Sequence, residues 1–158
     1  MAKLIVLQGI PASGKSTYVR KWQAAKPEQR VIVSRDSLRH ARGEYWIRSQ
    51  EDYITKLECF AVRQALKFGY DVAIDATNFN EPYLHRWELI AEENYAEYIQ
   101  LLFHADLDEC IRRNQNPERN VRVPNETIEY FYKKYEDFIY INIEPGKIIC
   151  SKRLKFQK

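Results

Sequence analysis

Short apolar runs alternate along this chain with longer stretches in which apolar residues recur at helical spacing. The runs Leu4–Leu7, Val31–Ser34, Val72–Asp75, Ile99–Phe103 and Ile148–Cys150 read as buried strands. Helix starts are announced between them by capping residues: Ser49 with Asp52 three residues on, Asn80 before Glu81-Pro82, Asp106 with Glu109, and Asn125 after Pro124. The alternation predicts an α/β fold, a central parallel sheet of about five strands flanked by helices. The chain has 158 residues, 45 % of them hydrophobic, with no internal repeat or linker, so one domain over residues 1–158 is expected. Such sheets bind ligands at the carboxyl ends of their strands, which gives the residues just after each strand priority.

The first of these positions carries the sharpest signal. Gly9-Ile10-Pro11-Ala12-Ser13-Gly14-Lys15-Ser16-Thr17 fits the pattern G-x-x-x-x-G-K-[ST] directly after an apolar strand. Glycines let the backbone turn tightly enough for N–H groups to converge on a β-phosphate at a helix N-terminus. Lys15 is expected to bridge the β- and γ-phosphates of ATP or another nucleoside triphosphate, and Ser16 to hold Mg²⁺, with Gly9, Ser13, Gly14 and Thr17 completing the loop.

After the second strand comes Ser34-Arg35-Asp36-Ser37-Leu38-Arg39. A carboxylate within reach of an acceptor hydroxyl can receive its proton during phosphoryl transfer, a role assigned to Asp36. Arg39, one helical turn on, is placed to fork onto an acceptor phosphate, with Arg35 beside it. The bland alternative is that Asp36 caps a short helix beginning at Ser37. The third strand closes on Asp75-Ala76-Thr77-Asn78, where Asp75 is expected in the Mg²⁺ shell, or orienting an arginine, and the turn to be held by side-chain hydrogen bonds. Ala76 stands where motor ATPases commonly carry a glutamate that activates water, which favours transfer to an organic acceptor over hydrolysis. The arginine-rich stretch before Pro124 reads as a lid over about 115–124. Arg119 is the candidate finger on the transferring group, Arg122 its rival, and Arg113 a flank for the nucleotide.

Composition narrows the picture only modestly. The formal charge is +3, but Lys147–Lys158 carries five basic residues and no acid, so the tail over about 151–158 is expected to be a solvated, frayed terminus. Three cysteines, Cys59, Cys110 and Cys150, are scattered without metal or disulfide spacing, which points to a reducing, cytoplasmic compartment. The N-terminal apolar stretch is too short for a membrane span, and no membrane partner is expected. Tyr130, Phe131, Tyr132, Tyr135 and Phe138 read as a core-facing helix, Tyr45, Trp46 and Trp87 as candidates for stacking on a base, and the three histidines as ordinary ones.

Taken together, Gly9 to Thr17, Arg35-Asp36-x-x-Arg39, Asp75-x-Thr77-Asn78-x-Asn80 and Arg112-Arg113-Asn114 before an arginine-bearing lid resemble the kinase domain of phage and bacterial polynucleotide 5′-kinases. The resemblance spans nearly the whole chain. It implies ATP- and Mg²⁺-dependent phosphorylation of RNA or DNA 5′-hydroxyl ends, with Asp36 as general base, Arg39 on the acceptor's phosphate and Arg119 on the ATP phosphates. Lys15 and Ser16 carry over directly. It also implies action in a cytoplasm, that of the host where the source is a phage. Some phage members place the acid immediately before the Thr-Asn pair, where this chain has Ala76. The alternatives are a P-loop kinase of a small metabolite and a nucleotide-binding module without catalysis.

Overall fold

The computed structural model describes residues 1–119, 122–142 and 154–157. Its centre is a parallel sheet in the order β2-β3-β1-β4-β5, formed by β1 (Lys3–Gln8), β2 (Arg30–Ser34), β3 (Asp71–Asp75), β4 (Glu97–Phe103) and β5 (Leu154–Gln157). Four strands stand where the apolar runs predicted them. The expected run Ile148–Cys150 lies outside the described residues, and the far edge beside β4 is occupied by Leu154–Gln157, from the stretch expected to fray. That edge accepts a basic, alternating segment because an outer strand needs only one paired side.

Between β1 and β2 runs α1 (Lys15–Ala24); between β2 and β3 run α2 (Arg35–Arg42), a 3-10 turn at Arg48–Gln50 and α3 (Glu51–Lys67). The helix α4 (Glu81–Glu93) precedes β4, and α5 (Leu107–Asn114) and α6 (Asn125–Asn142) come after it. Alternation along β1 divides the core. Leu4 and Val6 face one cluster with Val62 and Leu66 of α3 and Trp87 and Ile90 of α4. Ile5 and Leu7 face another with Val19 of α1. A third cluster gathers Ile10, Leu102 and Ala105 under Cys110 of α5 and Ile128 and Tyr135 of α6, so the strand ends that build the loops are themselves packed. Cys59 and Cys110 are free and buried.

The expected caps on α4 and α5 are present: Asn80 accepts from the Tyr83 N–H and Asp106 from the Glu109 N–H. Ser49 does not cap α3; it lies inside the 3-10 turn, and the helix starts after Gln50 without a side-chain cap. Trp87, a candidate base stacker from sequence, is only 2 % exposed and belongs to the core. Of the aromatic set expected to face the core from α6, Tyr135 is buried and Phe131, Tyr132 and Phe138 pack beside it, but Tyr130 does not: it lies off the apolar stripe and is exposed. Among the described residues no helix is long and apolar enough to cross a membrane.

Candidate active site

The loop after β1 is a cradle whose glycines are required by geometry. Gly14 has φ 102°, a left-handed conformation that side chains disfavour. At Gly9 an added Cβ would stand 2.6 Å from the Ser13 Oγ and 3.1 Å from the Phe103 Cβ. The helix α1 begins without any side-chain cap, which leaves its first N–H groups for an anion. Ser13 Oγ is buried and has no hydrogen-bond partner among the described residues. Lys15 is 7 % exposed, and its Nζ donates to the carbonyls of Gly9 at 2.8 Å and Ile10 at 2.9 Å. Burial pushes the Lys15 ammonium down to about 8, against the support of the Asp75 and Asp36 carboxylates, and Arg119 pushes it lower still. A cation held at that cost is relieved by a phosphate.

The loop is tied to β3 by a buried amide. Asn78, with φ 54° and 5 % exposure, donates from Nδ2 to the Leu7 carbonyl at 2.7 Å, and its own carbonyl accepts from Gln8 Nε2 at 3.0 Å. The Gly9 N–H donates to the Thr77 carbonyl at 3.2 Å. The turn expected after Asp75 therefore fixes the point at which the cradle begins.

On the other wall, α2 starts one residue before Asp36. Ser34 is its N-cap, accepting from the Ser37 N–H at 3.3 Å, so Asp36 sits in the first turn and caps nothing. Asp36 Oδ1 accepts from Arg39 Nη1 at 2.9 Å and from the Tyr45 hydroxyl at 2.9 Å. Arg39 in turn forks onto Glu51, with Nε to Oε1 at 3.1 Å and Nη2 to Oε2 at 2.7 Å. Burial works against the Glu51 charge, but the hydrogen bonds from Arg39 and Arg35 hold its carboxyl below the usual range. Arg35, expected beside the acceptor, turns its guanidinium instead into the α2–α3 interface. It bonds Glu58 Oε2 at 2.8 Å, Glu51 Oε2 at 3.0 Å and Thr55 Oγ1 at 3.0 Å. Glu51 and Glu58 were missed by sequence reasoning. On α3 they read as ordinary helix carboxylates, and nothing in their spacing announces partners on α2.

The polar stretch after α5 is pinched at its neck. Asn114, 3 % exposed, donates from Nδ2 to the Val123 carbonyl at 2.7 Å and accepts from the Val123 N–H at 3.2 Å. Inside this loop Arg119 is partly buried and acts electrostatically on both Lys15 and Asp36. Arg113 bonds Glu109 at 2.6 Å and lies on the cleft wall. Arg122 is exposed and is not among the residues that line the cleft.

These walls line an open cleft of about 2150 Å³, bordered among others by Ser13, Ser16, Thr17, Asp36, Arg39, Asp75 and Arg119. It is larger than the roughly 300–1,000 Å³ of an ordinary small-molecule pocket. The donors also fit a nucleotide with its magnesium ion. The Ser16 hydroxyl and the Asp75 carboxylate are hard oxygen groups at the start of α1 and the end of β3, suited to an ion that takes its remaining ligands from phosphates and water. Among the described residues there is no cluster of three or more His, Cys, Asp or Glu that would hold a metal alone.

A parallel sheet of this order, flanked by helices and carrying a phosphate-loop motif directly after β1, is the architecture of P-loop kinases. The chain matches the family described as an AAA domain over residues 4–138, and it belongs to that family. It is 30 % identical over 136 residues to an L-seryl-tRNA(Sec) kinase of Methanococcus maripaludis, covering 84 % of this chain and 52 % of that protein. It is 26 % identical over 148 residues to a protein of Autographa californica nuclear polyhedrosis virus assigned as a bifunctional polynucleotide kinase/RNA ligase, covering 84 % of this chain and 21 % of the relative. Among solved structures, a chain of the Pnkp1/Rnl/Hen1 RNA repair complex superposes with a TM-score of 0.75 at 28 % identity, over 86 % of this chain and 44 % of that one. The chain thus spans about half the first relative and a fifth of the second. The resemblance to polynucleotide kinases read from the motifs stands.

Proposed function

We propose that this protein transfers the γ-phosphoryl group of ATP to the 5′-hydroxyl end of RNA or DNA. The observation that carries the reading is Asp36: a carboxylate oriented by Arg39 and Tyr45, on the wall of the cleft that holds the phosphate loop. Asp36 accepts the proton of the acceptor hydroxyl as the new O–P bond forms and the bond to the β-γ bridging oxygen breaks. Before that step, as the nucleotide binds, Lys15 leaves its loop carbonyls for the β- and γ-phosphates, and the first N–H groups of α1 hold the β-phosphate. Arg119 neutralises charge on the transferring group from the lid. Ser16 and Asp75 would hold Mg²⁺, which would supply neutralisation of the phosphate charge. Arg39, whose fork is taken by Glu51, meets the acceptor's own phosphate through the two N–H groups that Glu51 and Asp36 leave open. Arg35 serves as the brace behind it.

Both named relatives support an acceptor carried on nucleic acid, since one is a kinase of a seryl-tRNA and the other a polynucleotide kinase. The first also favours a second reading, in which the hydroxyl belongs to a group attached to an RNA rather than to its 5′ end. The same base and loop serve either acceptor. The two separate in a transfer assay that offers 5′-hydroxyl oligonucleotides beside seryl-tRNA. Label on the oligonucleotide alone supports the first reading, and label on the tRNA alone replaces it with the second.

A further inference from the structure

Tyr45 and Trp46 come after α2 and stand on the cleft beside the Asp36/Arg39 pair. Their exposure is opposite in kind. Tyr45 is half-buried, with its hydroxyl spent on Asp36, and the burial together with the Asp36 charge and hydrogen bond pushes that phenol up to about 12. It stays a neutral donor at any working pH. Trp46 is 58 % exposed, although its indole is among the largest apolar groups a chain can bury.

Arg39 links the two rings. Its guanidinium carbon lies 5.6 Å from the Tyr45 ring centroid and 5.1 Å from that of Trp46, within cation–π range of both. That guanidinium cannot swing away cheaply, because Glu51 holds it through two hydrogen bonds and Asp36 through a third. One face of Trp46 therefore rests over an anchored cation, while the ring is largely exposed and lines the cleft that Asp36 also lines. An exposed indole backed by a cation and beside the proposed base offers a platform for a flat aromatic ligand, since base stacking on aromatic rings is sequence-tolerant and needs only a π face.

Resting on the reading that the acceptor is a nucleic-acid end, we infer that Trp46 stacks on the base of the acceptor's 5′-terminal nucleotide, and that this contact makes the enzyme prefer an end that carries a nucleobase there. Tyr45 sets the inner limit of the subsite by keeping Asp36 and Arg39 in register with it. The subsite selects nucleosides over plain alcohols and sugars without reading sequence, because every base presents the same kind of face.

The test compares two 5′-hydroxyl oligonucleotides that are identical except that one carries an abasic 5′-terminal nucleotide, using wild type, Trp46→Ala and Trp46→Phe with saturating ATP. Stacking of a single base is worth about tenfold to a hundredfold in kcat/KM. Wild type is expected to prefer the complete end by that factor, Trp46→Ala to lose the preference, and Trp46→Phe to keep much of it. Trp46 is exposed, so neither variant is expected to unfold the protein, and thermal melting checks this. Equal use of both ends by wild type, or a preference that survives in Trp46→Ala, overturns the subsite while leaving the proposed reaction intact. Failure of wild type to phosphorylate either oligonucleotide overturns the reaction and the subsite together.

Discussion

Tyr45 and Asp36 meet at 2.9 Å, phenol to Oδ1, on the same carboxylate oxygen that Arg39 reaches at 2.9 Å. Two donors converging on one oxygen fix the carboxylate's rotamer, and they do so at a residue that is half exposed and would otherwise sample several. Orientation of this kind is what a general base needs before substrate arrives.

Replacing Asp36 with Ala should therefore reduce transfer by about 10²- to 10⁴-fold while nucleotide binding persists, because the proposed mechanism has the carboxylate serve the acceptor. Single-turnover transfer alongside equilibrium ATP binding separates the two. Unchanged turnover would remove Asp36 from the chemistry.

Lys15 gives the site a pH signature. Its proton is held only to about pH 8 in the free protein, and a bound triphosphate restores it toward the ordinary lysine value of 10.5. Nucleotide binding then takes up a proton in this window, so ATP affinity should fall by up to about tenfold per pH unit above pH 8. Stability of the free protein moves the other way: the unfolded chain keeps the lysine proton to higher pH than the folded one, so stability rises between about pH 8 and 10.5. Titrating ATP affinity in wild type and Lys15→Met tests the first statement, and a wild-type affinity flat from pH 7 to 10 would refute it.

The lid arginines should differ in weight. Arg119 is felt by Lys15 and Asp36, whereas Arg122 is exposed and off the cleft wall. Arg119→Ala is expected to lower kcat by about 10³-fold or more, in the range of an arginine finger, and Arg122→Ala by less than about tenfold. Steady-state kinetics in the reverse order would reassign the finger.

Arg35 and Arg39 flank Asp36 on one helix but should fail differently. Arg35 is the cation beside Glu58, which is 3 % exposed, and burial already pushes that carboxyl up against the pull of Arg35. Arg35→Ala strands this acid and should cost roughly 3–5 kcal/mol in urea unfolding. Arg39→Ala should instead raise the acceptor KM. A loss below about 1 kcal/mol for Arg35→Ala would mean the interface does not depend on it.

Much of this site is legible in the sequence, and the reasons are local. The strand β1 announces itself because burial on both faces leaves it almost no polar position, and Asn80 and Asp106 because each side chain caps the helix that begins at the next residue. The loop from Gly9 to Thr17 is legible because phosphate binding fixes its spacing. What escaped was tertiary. Glu51 and Glu58 gain their meaning from arginines 12 to 23 residues away across a helix pair. Ser34 closes β2 and starts α2 at once, which a search for separate caps overlooks. Trp87 could have been placed in the core from its spacing with Leu84, Ile90 and Ala91, a stripe that outweighs the chemistry of one indole. The edge strand Leu154–Gln157 hid in its basic composition, since an outer strand tolerates lysine where a central one does not.

The most direct test of the central claim is transfer of labelled γ-phosphate from ATP, with Mg²⁺, to matched 5′-hydroxyl RNA and DNA oligonucleotides, with Asp36→Ala run in parallel. The account predicts label at the 5′ end of at least one oligonucleotide and its loss in the variant. Absence of oligonucleotide labelling by the wild-type protein, with ATP demonstrably bound, would contradict it.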